Sequence, residues 1–354
     1  MAPAKPLIPV AKSVPFEIIR AETTLSKYPI HNLVKGKPTT IDIRTVDRQG
    51  RSIRWEVSAN QKYGLPGQLA YKLDTLVINR QIEESGQPIP EIISLGSLRQ
   101  ICQALGLTDS GKNKKNITHA LQQNALTGIT ACLRYKGKDK VEHELKATFT
   151  RYNVIFTGQQ MPNGHSADGV YLILSQTYRE VLAQSPTRPL DYEYLKALTP
   201  TAQRFYEIIS YQIFAALKYN HSHARLRYSD YCLYSAQTRY EDLSAARKQM
   251  YKVHQPHLKS GYLAQVEFEG GFDQEGKPDW IMSYQPGPKA RAEYEIFTRK
   301  RKSRNEFYSQ PVIDSSTLET ELMDEDVSEE ENLFQQSLAW DLVNDVINKM
   351  GRMP

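Results

Sequence analysis

The stretch DLSAARKQMYKVHQPHLKSGYL, residues 242–263, predicts one helix that runs directly into a β-strand. Its apolar residues Ala246, Met250 and Val253 recur at steps of three and four, which is the spacing of one face of an α-helix. We therefore expect a helix over residues 244–257 whose apolar face packs against a core.

The opposite face of this helix is cationic, and the stretch contains no acid after Asp242. A solvated helix face usually mixes both signs of charge, so a plain surface helix is the less favoured interpretation. We predict that this face contacts DNA, whereas His254 and His257 serve the structure of the turn. The predicted contacts are Arg247, Lys248, Tyr251 and Lys252, and Gln255 suits the same role.

Charge is distributed unevenly along the 354 residues, which carry a net charge of +5 and have a pI of about 8.8. Acids concentrate in residues 314–332, DSSTLETELMDEDVSEEEN, a segment without Lys or Arg that is expected to be disordered. The rest of the chain is more basic than the total suggests. This balance favours a polyanionic partner.

Several classes of protein are excluded by absent patterns. No run of apolar residues is long enough for a membrane span, and the first residues do not resemble a signal peptide, so we expect a cytoplasmic protein without a membrane partner. Cys102, Cys132 and Cys232 lie far apart without a CxxC pair, which gives no support for a disulfide framework or a metal site. No P-loop, GxSxG or HExxH pattern occurs, and we expect no cofactor and no catalytic residues.

A helix-turn-helix is predicted in the first half of the chain. SLGSLRQICQALGL predicts one helix that stops at Gly106, and SGKNKKNITHALQQNAL predicts a second helix capped by Ser110. A hairpin follows, with a basic turn over residues 136–140 that fits either an ordinary exposed turn or a wing that contacts the DNA backbone. The predicted outward residues of the second helix are Lys112, Lys115, Asn116, His119, Gln122 and Gln123, and those of the wing are Lys136, Lys138 and Lys140.

The same order of elements recurs after a proline-containing segment, SPTRPLDYE. A strongly apolar helix, a short helical segment, the helix of residues 244–257 and two alternating strands predict a second winged helix. The expected fold class is α+β with two tandem winged-helix domains and a largely disordered acidic C-terminal tail. The expected boundaries are an extended N-terminal arm (1–37), a first winged helix (38–186), a second winged helix (187–292) and a basic then acidic tail that ends in an amphipathic helix (293–354).

One enzymatic alternative comes from His221, Ser222 and His223, which are followed by Tyr228 and Tyr231. Nicking endonucleases use a histidine pair to hold a metal and a tyrosine as nucleophile. The histidines here follow an apolar helix in a loop and have Ser between them, so a role at the helix end is favoured.

The block from Pro189 to Leu263, and above all LRYSDYCLYSAQTRYEDLSAARKQMYKVHQPHLKSGYL, resembles the replication initiator protein A family of bacterial plasmids. The resemblance is densest over about a fifth of the chain. It implies a protein that binds repeated double-stranded sites in a plasmid origin, promotes opening of the adjacent duplex and recruits host replication proteins such as an initiator or a helicase. It also implies a contact role for Arg239, and both monomers and homodimers are expected states.

Three other functions stay open at this point. A tandem winged-helix transcriptional regulator shares every physical feature and differs only in where its sites lie. A nicking initiator would need a divalent metal and a covalent tyrosine adduct. An RNA-binding protein would need exposed aromatic rings as stacking platforms.

Overall fold

The computed structural model describes residues 17–34, 40–47, 49–273 and 275–306, with no side chains described for residues 299–306. The acidic segment and the terminal amphipathic segment lie outside the described residues, as do the first sixteen residues. No helix in the described part is long and apolar enough to cross a membrane.

After its first strand, the first winged-helix unit has a long helical segment, one single strand, three further helices and three hairpins. The long segment contains a π-helical turn between two α-helices, and the seven strands after β1 form two sheets. In chain order the elements are β1 (Ile18–Glu22), β2 (Thr40–Val46), β3 (Ser52–Ser58), α1 (Gln68–Leu73), the π-helical turn (Asp74–Ile78), α2 (Asn79–Glu84), β4 (Ile92–Gly96), α3 (Leu98–Ala104), α4 (Gly111–Ala125), β5 (Gly128–Lys136), β6 (Glu142–Phe149), β7 (Tyr152–Ile155), β8 (Val170–Leu174) and α5 (Gln176–Gln184).

The predicted helix-turn-helix is confirmed as α3 and α4. Ser97 and Gln100 form a capping box at the start of α3, and Gly106 has a φ of +68° at its end, a conformation that glycine adopts without strain. Ser110 caps α4 by accepting a hydrogen bond from the backbone N–H of Asn113 at 3.2 Å. Local cap chemistry therefore sets both ends of the turn.

The predicted first wing is wrong, because the hairpin of β5 and β6 belongs to another sheet. That hairpin joins β2 and β3 in a four-stranded sheet of order β2-β3-β5-β6. The strand before the helix pair, β4, instead pairs with β8 in a three-stranded sheet of order β4-β8-β7. The wing of this unit is thus the hairpin of β7 and β8 with its loop over residues 156–169, and β5 and β6 are an insertion.

The second unit has the same arrangement without the insertion. Its sheet order is β10-β12-β11, so the strand before the helix pair again lies beside the second strand of the wing. Together the units confirm the α+β fold class. The elements are β9 (Thr187–Asp191), α6 (Tyr192–Ala197), α7 (Pro200–Lys218), β10 (Ala224–Arg227), α8 (Tyr228–Tyr234), α9 (Leu243–Lys259), β11 (Leu263–Phe272), β12 (Pro278–Pro286) and α10 (Pro288–Glu306).

Residues 17–34 of the expected arm, and the expected linker, are part of the packed structure. Strand β1 pairs antiparallel with β9 over five residue pairs, from Ile18 with Asp191 to Glu22 with Thr187. Leu25, Tyr28 and Ile30 of the same N-terminal segment are buried in the core. The prolines suggested a loose segment, but Pro189 lies in an edge strand, where a missing N–H is tolerated.

The expected start of the disordered tail at residue 293 is also wrong, because α10 continues to Glu306. Glu293 is 4% exposed and accepts a hydrogen bond from the Tyr206 hydroxyl at 2.7 Å. The ring of Tyr294 lies 4.9 Å from that of Phe214 on α7. These contacts attach α10 to the second unit.

Candidate nucleic-acid interface

Helix α9 is held by a capped start and an apolar inner face. The Asp242 carboxylate accepts a hydrogen bond from the backbone N–H of Ala245 at 2.8 Å. Ala246, Met250 and Val253 are buried, as the spacing predicted. The rest of the helix is thereby presented outward on a rigid support.

The outer face of α9 is exposed and cationic. Arg247, Lys248 and Lys252 are exposed, and Tyr251 between them is 62% exposed. No described carboxylate forms an ion pair with any of the three cations, although the Arg247 guanidinium lies 5.4 Å from the ring centroid of Phe268 on β11. A row of cations without acids, at the spacing of a helix face, suits the phosphates of a nucleic acid.

The structural role expected of His254 and His257 is confirmed. His254 lies 3.1 Å from the Tyr284 hydroxyl, and His257 lies 2.7 Å from the Tyr194 hydroxyl and 3.1 Å from the backbone oxygen of Ala202. Burial lowers the pKa of His254 to about 3 and the pKa of His257 to about 4. Both rings are neutral at neutral pH and connect α9 to its own core.

Arg239 supports the second wing. Its guanidinium donates to the Asp273 carboxylate at 2.6 Å and to the backbone oxygen of Pro278 at 2.7 Å. Both acceptors lie where the hairpin of β11 and β12 turns. The contact to DNA expected from the resemblance stays a prediction, and the observed bonds hold the wing.

The tyrosines in the same block are packing residues. Tyr228, Tyr231 and Tyr234 are buried, and the Tyr228 hydroxyl donates to the Gln249 amide oxygen at 2.6 Å. Burial raises the pKa of Tyr228 and of Tyr231 above the ordinary value for tyrosine. A buried, protonated phenol is not placed to attack a phosphodiester.

The histidines of the nicking alternative lie at the end of α7, before β10. His223 Nδ1 lies 2.8 Å from the Ser222 hydroxyl oxygen. Within the described part of the chain, no group of three His, Cys, Asp or Glu residues is arranged to hold a metal ion. The geometry therefore adds no observation in favour of metal-dependent nicking.

Helix α4 presents a smaller cationic face than α9. Lys112, Lys115, Asn116 and His119 are exposed, and the His119 ring lies 5.5 Å from that of Tyr63. Lys114, between them, pairs with Asp109 at 2.7 Å. This face keeps two lysines and an amide for a polyanion.

The two glutamines of α4 differ from the expected outward placement. Gln122 is half-buried. Gln123 is also half-buried, and its amide nitrogen donates to the backbone oxygens of Tyr63 at 2.8 Å and Leu65 at 3.1 Å. The Gln123 amide thus closes the loop before α1 rather than pointing away from the protein.

The basic turn over residues 136–140 docks on α5. Lys138 donates from its backbone N–H to Gln184 at 2.8 Å and from Nζ to the backbone oxygen of Ala183 at 3.2 Å. Partial burial lowers the pKa of Lys138. Lys136 and Lys140 flank this contact, so the turn closes the insertion and does not form the wing.

The hairpins that form the wings differ in charge, which could not be read from the sequence while the first wing was assigned to residues 136–140. The loop of the first wing, residues 156–169, has a single carboxylate, Asp168, and exposes amides and a hydroxyl at Gln160, Asn163 and Ser166. The second wing exposes three acids and one lysine, and the lysine pairs with one of the acids. These are Glu267, Glu269 and Glu275, with Lys277 bound to Glu275 at 2.8 Å and the Arg225 guanidinium of β10 at 3.9 Å from Glu269.

The described residues define an α+β protein with two winged-helix units in tandem, each with an exposed cationic second helix. The sequence matches no family model and no curated protein. Two crystal structures of domains 2 and 3 of RctB are similar to the chain, and each match covers 74% of this chain and 96% of the RctB chain. Both are 10% identical in sequence, with TM-scores of 0.45 and 0.39.

Proposed function

We propose that this protein is a cytoplasmic, sequence-specific double-stranded DNA-binding protein that initiates plasmid replication. The observation that carries the proposal is the outer face of α9, where three cations and Tyr251 stand exposed without a carboxylate partner among the described residues. A winged helix holds its second helix outward, and an α-helix fits the width of a major groove. Cations set its register on the phosphates, and the polar side chains read base edges.

The second cationic helix, α4, supports binding along a longer site. Two helices on one side of a duplex contact major grooves about one helical turn apart. The log of affinity is expected to fall with the log of salt at a slope of about 0.9 per phosphate neutralised. Engagement of both units would give a slope of about five or more in magnitude.

The choice of an origin over a promoter rests on the resemblance of residues 189–263 to the plasmid initiator A family. In this proposal the protein binds repeated origin sites, promotes opening of the adjacent duplex and recruits host replication proteins. A tandem winged-helix regulator is the second candidate, because both helix faces described above serve it equally.

The test is footprinting of the purified protein on the DNA upstream of its own coding region, with and without magnesium, combined with a salt titration. Regularly spaced protected repeats beside an AT-rich segment, with no strand break and a steep salt slope, are the expected result. A single protected site at a promoter would favour the regulator. A magnesium-dependent nick would overturn the non-enzymatic proposal, and a slope near one or two would overturn binding by both units.

A further inference from the structure

Residues 17–34, which we name the strap, run between the two winged-helix units and contact both. The strap begins as β1 on β9 of the second unit and ends beside α1 of the first, where Asn32 donates to the backbone oxygen of Pro66 at 2.8 Å. It is internally stiff, since the Glu22 carboxylate accepts hydrogen bonds from three following backbone N–H groups. These belong to Thr24 at 2.7 Å, Leu25 at 2.9 Å and Ser26 at 2.6 Å.

Beyond the pairing of β1 with β9, a buried guanidinium attaches the far end of the strap to the second unit. Arg204 on α7 is 5% exposed and donates to the strap at the backbone oxygens of Ser26 and Lys27, both at 2.6 Å. The same guanidinium donates to the backbone oxygen of Tyr234, at the last residue of α8, at 2.6 Å and 3.0 Å. Helix α8 directly precedes α9, so the strap is bonded to the base of the second DNA-facing helix.

Two side chains attach the strap to the first unit. The indole N–H of Trp55, which is fully buried on β3, donates to the backbone oxygen of Pro29 at 2.9 Å. The ring of Tyr28 stacks on Trp55 at 5.0 Å and meets the edge of Tyr234 at 6.0 Å. Tyr28 therefore lies between an aromatic ring of each unit.

The end of the strap contacts the other DNA-facing helix. His31 Nε2 lies 3.1 Å from the Asn124 amide oxygen on α4 and 2.9 Å from the Asp74 carboxylate. Asn124 is fully buried and donates to the backbone oxygen of Ala70 at 3.0 Å. The strap thus reaches the inner face of α4 while Lys112 and Lys115 stand on the outer face.

We propose that the strap fixes the separation and rotation of α4 and α9, so that the spacing of the two contacts within each DNA repeat is a recognition element. The proposal rests on the proposed function. Each added base pair moves the second contact by about 3.4 Å and about 34° around the duplex. A rigid pair of helices cannot follow that displacement, whereas two helices joined by a flexible connection can. Arg204 is a positioning residue for this spacing and touches no DNA.

The test measures affinity for one repeat and for the same repeat with one, two or five base pairs inserted between the two footprinted contacts. The affinity of the wild-type protein is expected to fall by at least about 30-fold when two base pairs are inserted. Arg204→Met combined with Glu207→Gln removes the bonds from α7 to the end of the strap, keeps the pairing of β1 with β9, and leaves no buried carboxylate unpaired. The affinity of this variant for the unaltered repeat is expected to be within about 10-fold of the wild-type affinity. Insertion of two base pairs should reduce the variant's affinity by less than about 5-fold.

Arg179→Met combined with Glu91→Gln is the control for loss of an Arg–Glu pair away from the strap, at a pair more exposed than Arg204 and Glu207. Arg179 also pairs with a carboxylate, at 3.8 Å, and donates to a backbone oxygen, at 3.2 Å, but it does not touch the strap. This control variant should lose as much affinity as the wild-type protein when base pairs are inserted. Tyr28→Leu, which keeps an apolar side chain but removes the ring between Trp55 and Tyr234, is a second release variant if the first one fails to fold.

Three outcomes separate the two proposals. A wild-type protein that binds no repeat overturns the proposed function. A wild-type protein that binds repeats but tolerates insertions overturns the strap proposal alone. A folded release variant that keeps the full insertion penalty also overturns it, because a merely structural role would weaken all fragments equally.

Discussion

The two winged-helix units share one arrangement of strands but distribute charge differently. In the second unit the cations lie on α9, and the wing exposes Glu267 and Glu269. In the first unit α4 exposes fewer cations, and the wing is almost free of charge. A phosphate backbone would repel the second wing and accept the first.

This difference indicates that the two units contribute unequally to the proposed contact with DNA. If the proposed function holds, we expect the acids of the second wing to weaken contact between that wing and the phosphates, so that the second unit depends mainly on its helix. The first unit can add contacts from amides such as Gln160 and Asn163 in its neutral loop. We infer that α9 supplies most of the affinity and that the first unit extends the site.

The largest expected effect tests this inference at α9. Arg247→Ala combined with Lys252→Ala removes two charge-assisted phosphate contacts and should weaken repeat binding by at least about 100-fold. The salt slope should fall by about two in magnitude. Fluorescence anisotropy titrations at several salt concentrations measure both, and the thermal melt should change little because both side chains are exposed.

Two matched variants sharpen the comparison. Lys112→Ala with Lys115→Ala removes the same charge from α4, and a loss of only about 10-fold is expected there. Arg44→Ala with Lys146→Ala removes the same charge from the solvent face of the four-stranded sheet and should lose less than about 3-fold. Equal losses at α4 and α9 would contradict the unequal roles, and a lost fold would mean that α9 is not a DNA-facing helix.

The next effect concerns a buried carboxyl group in each unit. In the first unit burial would raise the pKa of Asp74, but the charges and hydrogen bonds of Arg151 and His31 lower it below its ordinary value. In the second unit burial raises the pKa of Glu293 to about 8, although a hydrogen bond from Tyr206 opposes the shift. The units should therefore respond oppositely to pH.

For Glu293 the folded state binds a proton more tightly than the unfolded state. Its stabilising contribution is therefore complete below pH of about 4.5 and is lost as pH rises towards about 8. The Glu293→Gln variant has no ionisable group at this position. Between pH 5 and pH 8.5 its free energy of unfolding should therefore fall by on the order of 1–3 kcal/mol less than that of wild type. Urea unfolding at the two pH values measures the difference, and parallel pH dependence in both proteins would contradict the assignment.

The smallest effect concerns the second wing. Glu267→Gln combined with Glu269→Gln removes two like charges near the DNA and should raise affinity for a duplex without repeats by about 2–5-fold at low salt. The gain should disappear near 0.3 M salt, because screening shortens the range of the repulsion. Glu84→Gln with Glu193→Gln changes the net charge equally on other surfaces, and an equal gain there would remove any special role of the wing.

Features that depend on neighbouring residues were predictable from the sequence. The cap at Ser110 and the apolar face of α9 follow from patterns a few residues long, and both were confirmed. The wing of the first unit was not predictable, because β4 pairs with β8, whose residues come more than seventy positions later. Gln123 was misplaced for the same reason, since its partners Tyr63 and Leu65 lie 60 and 58 residues away.

The strap was not predicted because its buried residues, such as Leu25, Tyr28 and Ile30, follow no regular spacing and its polar partners lie far away in the sequence. Proline and the lack of periodicity are typical of an arm, and nothing local to residues 17–34 indicates Arg204. The candidate contacts on α9 were found since a one-sided charge pattern is a local property. The effect of the wings on those contacts needed the strand order.

The strap also completes its bonds late in the synthesis of the chain. Ser26 and the arginine that binds its carbonyl are 178 residues apart, so at ribosomal rates the N-terminal segment waits roughly 10–40 s for its partner. Throughout that interval the nascent first unit lacks the buried guanidinium that holds the end of the strap. The strap can therefore hold α4 against the second unit only after Arg204 has been synthesised, and α9, which lies later in the chain, is added to this arrangement afterwards.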